Sequence, residues 1–142
     1  MMIVKKIDNL EQMNCAYAIR QLVFTEEQGV PTDIERDLYD SEAVHVIALA
    51  DGLPVGTGRI VIHQNQGKIG RVAVLKTHRG LGLGQLICQK LLEIAKTLKL
   101  HQVMLHAQID AKDFYIKMGF LPVGHEFIEA DIKHIKMEKS FD

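Results

Sequence analysis

The stretch from Val72 to Leu100, VAVLKTHRGLGLGQLICQKLLEIAKTLKL, constrains this chain more than any other, because a short apolar strand runs through a basic, glycine-rich turn straight into a patterned helix. Gly80, Gly82 and Gly84 alternate with leucines where the helix begins, so the backbone can approach a ligand without Cβ obstruction and turn several N–H groups toward it. A helix start also carries unsatisfied N–H donors and the positive end of the macrodipole, which together suit an anion. Lys76, His78 and Arg79 precede the glycines, and a guanidinium matches a phosphate well. The expected ligand is a phosphorylated cofactor. Beyond the turn, Leu83, Ile87, Leu91, Ile94 and Leu98 recur at spacings of three and four and define one apolar helix face. Glycines alone would fit a plain strand-to-helix connection; Arg79 in register with Gly82 and Gly84 favours the cradle.

With 142 residues, 47% hydrophobic content and a formal net charge of -1, the chain can bury a core for one domain spanning 1–142 but offers no basic field for nucleic acid. Lys5 and Lys6 interrupt the N-terminal apolar run, and no segment approaches the roughly 20 apolar residues that cross a bilayer, so a soluble, cytoplasmic protein without a membrane partner is expected. Cys15 and Cys88 fall inside predicted helices and read as small buried thiols. The histidines and cysteines show no paired zinc-type spacing, so no metal is expected.

The remaining segments supply a sheet. Ile3 to Lys6 reads as a first strand, and Asp8 or Asn9 caps a helix running to about Gln28, with Glu11 or Gln12 completing a capping box. Val44 to Ala50 and Val55 to Ile62 flank the turn Asp51-Gly52-Leu53-Pro54, and a turn near Asn65 to Gly67 leads into Lys68 to Leu75. After the long helix come a strand at His101 to His106, a short helix near Ala111 to Met118, and strands near Leu121 to Phe127 and Ile132 to Glu138. The expected fold is mixed α/β, a largely antiparallel central sheet flanked by helices, in the order β-α-β-β-β-α-β-α-β-β.

Arg79, Gly82 and Gly84 match the Arg/Gln-x-x-Gly-x-Gly/Ala signature of the GNAT superfamily of acetyl-CoA-dependent N-acyltransferases. AQIDAKDFYIKMGF, from Ala107 to Phe120, resembles that superfamily's late helix with its Phe-Tyr pair and Gly-Phe turn, and PVGTGRIVI, from Pro54 to Ile62, resembles its third strand. The chain is thus similar to a GNAT domain over most of its length, in the expected element order. The resemblance implies acetyl transfer from acetyl-CoA to the amine of an unidentified acceptor by direct attack. Arg79, Gly80, Leu81, Gly82, Leu83, Gly84 and Gln85 would bind the pyrophosphate, and the backbone of Val72, Ala73 and Val74 would pair with the pantetheine arm. One N–H of that strand would face the thioester carbonyl, Tyr115 would act as acid toward the departing thiolate, and Phe114 would pack or wall the pantetheine.

Members of the superfamily often carry a carboxylate base on the fourth strand, but Ile69-Gly70-Arg71-Val72-Ala73-Val74 contains none. His45, His106 and an ordered water chain are left as candidates for that role. The loop EEQGVPTDIERDLYDSEAVH holds Glu26, Glu27, Asp33, Glu35, Asp37, Asp40 and Glu42, which would favour a cationic amine acceptor, with Arg20 and Arg59 as partners for some of these acids. Two other classes are weighed. A non-catalytic acyl-CoA-binding or regulatory module would keep Arg79 to Gly84 without turnover. A dinucleotide-binding enzyme is disfavoured because Gln85 stands where the last glycine of that fingerprint belongs. The oligomeric state is left open, a homodimer being one option.

Overall fold

The computed structural model describes residues 1–141. Its seven strands are β1 (Met2–Lys6), β2 (Val44–Ala50), β3 (Leu53–His63), β4 (Gln66–Val74), β5 (Gln102–Gln108), β6 (Leu121–Glu129) and β7 (Ile132–Ser140). They form one sheet in the order β1-β2-β3-β4-β5-β7-β6, antiparallel throughout except between β4 and β5. Tight turns close the hairpins: Asp51 and Gly52, and again Ala130 and Asp131, all take left-handed φ, the geometry that matches strand twist across a two-residue loop. The helices are α1 (Leu10–Arg20), the single-turn α2 (Thr32–Glu35), α3 (Leu83–Thr97) and α4 (Lys112–Lys117). No helix among the described residues is long and apolar enough to cross a membrane.

Asn9 caps α1, its side chain accepting from the Gln12 N–H at 2.8 Å, while the Gln12 side chain accepts from the N–H of Asp8 rather than of Asn9. The expected single helix to Gln28 instead changes character after Arg20, continuing as a π-helical stretch from Gln21 to Glu27. Such wide turns concentrate at functional sites. Here the stretch brings Phe24 and Gln28 to the wall of the cleft and Glu27 to the glycine turn.

Leu83, Ile87, Cys88, Leu91, Leu92 and Ala95 form the buried face of α3, packed with Val46, Ile60, Ile69, Val103 and Leu105 of the sheet. Ile94 packs partly buried against the same core, whereas Leu98, expected on that face, is the C-cap and 49% exposed. The helix lies close because β3 presents glycines, Gly56 and Gly58, where it crosses. A Cβ on Gly58 would stand 2.7 Å from the Ile87 side chain, and one on Gly56 2.9 Å from it. The core therefore fixes α3, and with it the glycine turn at its start, against the middle of the sheet.

Candidate active site

β4 and β5 pair from Gln66/Gln102 only as far as Ile69/Leu105. Both strands run on, to Val74 and Gln108, so past that point they diverge and the backbone edge of β4 that faces β5 has no strand partner among the described residues. The opening is part of a cleft of about 780 Å³, lined on its two sides by Lys68 to Val72 and by Met104 to Gln108, with Tyr115, Glu129 and His134 among its walls.

A β-bulge sits in that wall. Thr57 pairs with Ala73 and Arg59 with Gly70, so Arg71 and Val72 together oppose Gly58. Arg71 takes φ 52°, a left-handed conformation costing an arginine about 1–2 kcal/mol, and its side chain holds the distortion in place. Nε of Arg71 donates to the Glu35 carbonyl oxygen at 3.0 Å and Nη2 to Asp37 Oδ2 at 3.1 Å.

Those contacts belong to a larger ion-pair network. Arg20, 1% exposed, donates from Nε to Glu35 Oε2 at 2.7 Å and from both terminal nitrogens to Asp40 at 2.8 and 3.0 Å. Arg59 forks onto Asp37 at 2.7 and 2.8 Å and reaches Asp40 Oδ1 at 2.8 Å. Three guanidinium groups thus offset three carboxylates, and the hydrogen bonds from Arg20 and Arg59 outweigh burial to hold the Asp40 carboxyl down at about 2. Three of the seven acids assigned to acceptor binding are thus paired within the protein. Glu35, Asp37 and Asp40 are saturated by arginines, because a carboxylate at this depth survives only when paired. Arg20 and Arg59 are partners for these acids, as the sequence suggested; Arg71 was missed.

His45 belongs to the same network. It is 8% exposed, Nε2 lies 2.9 Å from the Asp40 carbonyl oxygen, and burial lowers its pKa. That nitrogen is occupied and the residue does not line the cleft, so His45 drops out as a base. His106 does line it. Its Nδ1 lies 3.0 Å from Glu129 Oε2, and its ring stands edge-on to Phe127 at 4.9 Å. Burial first, then the nearby Lys68 ammonium, lowers its pKa against the opposing pull of Glu129. A carboxylate on Nδ1 fixes the ring and leaves Nε2 as the lone-pair nitrogen. Glu129 was missed in the sequence because the strand β6 intervenes; only the β7 hairpin brings it back to β5.

At the other end lies the glycine turn. Gly80 and Gly82 have φ of 81° and 86°, Gly82 is the N-cap of α3, and the Leu86 N–H reaches back to the Gly82 carbonyl. The N–H groups of Leu83, Gly84 and Gln85 precede that first helical bond and are the orphan donors of the helix. A Cβ on Gly80 or Gly82 would meet no other atom within 4 Å, so these glycines are required by backbone conformation and by open access, not by packing. Arg79 differs from expectation. Its two terminal nitrogens bind both oxygens of Glu27 at 2.8 and 2.7 Å, and Nε donates to the Val74 carbonyl oxygen at 2.9 Å. The guanidinium staples the π-helical stretch to the turn, and Lys76 is the cation of the turn without an ion-pair partner among the described residues.

Phe114 lies 3.8 Å from where a Cβ on Gly84 would stand, which places it beside the cradle. Tyr115 packs edge-on against Phe114 at 5.0 Å and Phe120 at 5.9 Å, with its phenol beside Cys88. Burial, then Cys88, raises the phenol above its ordinary value, and burial pushes the Cys88 thiol up to about 12. The thiol is therefore inert at neutral pH. Of the strand residues expected at the thioester, Val72 lines the cleft, Ala73 is buried against Ile19 and Val23, and Val74 carries the carbonyl that anchors Arg79.

The family model described as an acetyltransferase (GNAT) domain matches residues 13–141. A Bacillus subtilis protein whose name assigns it provisionally to the acetyltransferases is 38% identical, over 98% of this chain and 97% of its own. A second from the same organism, the uncharacterized N-acetyltransferase YjcF, is 36% identical over 92% of this chain and 94% of its own. Among solved structures, an acyl-CoA N-acyltransferase from Pseudomonas aeruginosa superposes with a TM-score of 0.86 at 30% identity, covering 99% of both chains. Cradle, divergent strands and full-length relatives agree: the chain belongs to the GNAT acetyltransferase family, whose members move an acyl group from a CoA thioester to an acceptor.

Proposed function

We propose that this protein is an N-acetyltransferase passing acetyl from acetyl-CoA directly to an amine, with His106 as base and Tyr115 as donor to the leaving sulfur. The observation that carries the reading is the joining, in one cleft, of the free β4 edge, a carboxylate-oriented imidazole and a protonated phenol. The glycine turn at the start of α3 takes the pyrophosphate, with Phe114 alongside. The arm then runs along the free edge of β4, and the bulge at Arg71 and Val72 turns an N–H toward the thioester carbonyl, where it meets the negative charge that builds on oxygen.

His106 Nε2 takes the proton from the amine as nitrogen bonds to the carbonyl carbon; Glu129 steadies the imidazolium. The C–S bond breaks as the oxyanion collapses, and Tyr115 hydrogen-bonds the sulfur that leaves. Its raised pKa makes complete proton transfer to a thiolate unfavourable, so the sulfur departs hydrogen-bonded and is protonated from solvent.

Two substitutions test the assignment. His106→Gln is expected to lower kcat about 100-fold at pH 7.5 with acetyl-CoA affinity unchanged, the ordinary worth of a positioned base. Because the base works unprotonated and its pKa is lowered, the wild-type rate falls on the acid side with a midpoint below the usual histidine value of about 6.5, and the variant loses that limb. An identical pH profile in the variant would move the base elsewhere. Tyr115→Phe is expected to lower kcat about 10-fold while leaving the affinity for CoA intact, since a single hydrogen bond is removed. A change confined to KM would return Tyr115 to packing.

A further inference from the structure

The charges that line the cleft bear on the acceptor. Arg59, Arg71, Glu35 and Asp37 belong to the network and cancel within it. Outside it the lining carries one cation, Lys68, and two carboxylates, Glu42 and Glu129. Glu129 is held by His106. Lys68 has no ion-pair or hydrogen-bond partner among the described residues; the nearest influences on it are Coulombic, from Glu129 and Asp37 on one side and Arg59 and Arg71 on the other.

Its position is fixed by the sheet. Gly67 and Ile69 point to the α3 side of β4, so Lys68 points to the cleft side, and it pairs across the parallel ladder with Met104. His106 follows Met104 by two residues and shares its face. An ammonium without a partner therefore stands on the same face as the imidazole, one strand over, within range to lower the imidazole's pKa. Lys68 is exposed at the cleft; partial desolvation first, then the two arginines, draws its ammonium below its ordinary value, and an arriving anion would oppose that shift. A polyamine would set a second cation against Lys68. A neutral amine would leave it without a counter-charge.

We propose that the acceptor is an amino carboxylic acid, its carboxylate held by Lys68 and its amine delivered to His106 and Glu129. The inference rests on the acyl-transfer reading above and reverses the cationic preference that the acidic loop suggests in the sequence.

The test uses product-like probes on enzyme saturated with free CoA. Calorimetry compares N-acetyl derivatives of the common amino acids with their carboxamides. At least one acid is expected to bind about 10-fold more tightly than its own amide, the ordinary worth of a charge-assisted hydrogen bond, with the advantage shrinking as salt rises. In Lys68→Gln the acid-to-amide ratio is expected to fall to within about 2-fold. If no acid in the panel outbinds its amide, or the ratio survives in Lys68→Gln, the inference is overturned. Thiol release from acetyl-CoA with the free amino acids and with amines lacking a carboxylate separates the two levels. Faster release with the plain amines overturns the carboxylate while leaving acyl transfer intact. Carboxylate-dependent binding without release from any amine leaves the Lys68 subsite standing and removes acyl transfer.

Discussion

Arg20→Met is expected to destabilise the protein by about 3–5 kcal/mol, the usual cost of removing one partner from a buried ion pair, and to lower Tm by roughly 10–17 °C. The methionine fills the volume but leaves Glu35 and Asp40, 3% and 9% exposed, facing each other without their shared guanidinium. A pH titration of stability identifies the source. Asp40 has its folded pKa held at about 2, below the ordinary carboxylate value, so its contribution is fully present above about pH 4 and is lost as pH falls toward 2. That shift corresponds to about 2 kcal/mol, and urea melts should show it disappearing over this window in the wild type and much reduced in the variant. A parallel pH dependence in the two proteins would place the electrostatic contribution elsewhere. The variant should also lose kcat beyond its loss of stability. Glu35, which Arg20 anchors, in turn accepts from Arg71, whose left-handed backbone forms the β4 bulge.

Gly82→Asp is expected to weaken CoA binding at least 100-fold, about 2.7 kcal/mol, while leaving a folded protein. A Cβ there meets nothing within 4 Å, so the core is undisturbed and the cost to the apo fold is confined to a side chain at φ 86°. The carboxylate, however, would stand at the mouth of the orphan N–H groups of α3. Two like charges about 4 Å apart repel by about 4 kcal/mol at an effective dielectric near 20, which exceeds any gain the carboxylate makes with the helix dipole when CoA is absent. Calorimetry with CoA, alongside a melting curve showing a native transition, reads the effect. Unchanged affinity in a folded variant would move the phosphate site away from this turn.

The features legible in the sequence are those whose cause is local. Gly80 and Gly82 show through as glycines because their left-handed φ admits few other residues, and the alternation along β5 follows from one face, Val103, Leu105 and Ala107, meeting the core. What stayed hidden depends on pairing across long separations. Glu129 meets His106 across a sequence separation of 23, and Arg79 meets Glu27 across one of 52. Arg71 carries a left-handed φ that nothing in its side chain announces; the neighbouring Gly70 is ordinary in this respect. The acidic loop shows the limit most plainly. Its composition signals charge, but only the fold shows that burial and three arginines tie Glu35, Asp37 and Asp40 into the network that holds the bulge. The change from α- to π-helical geometry after Arg20 has no sequence marker at all, yet it delivers Glu27 to the turn.

The most direct test of acetyl transfer to an amine is thiol release from acetyl-CoA, followed with and without amine, with the amide product quantified by mass spectrometry and the intact protein weighed in the same samples. Direct transfer predicts thiol release that requires an amine, one amide formed per thiol released, and no acetyl group on the protein at any time. Release at the same rate without amine, an acetylated protein that forms and decays during turnover, or tight CoA binding with no release from any amine would contradict it.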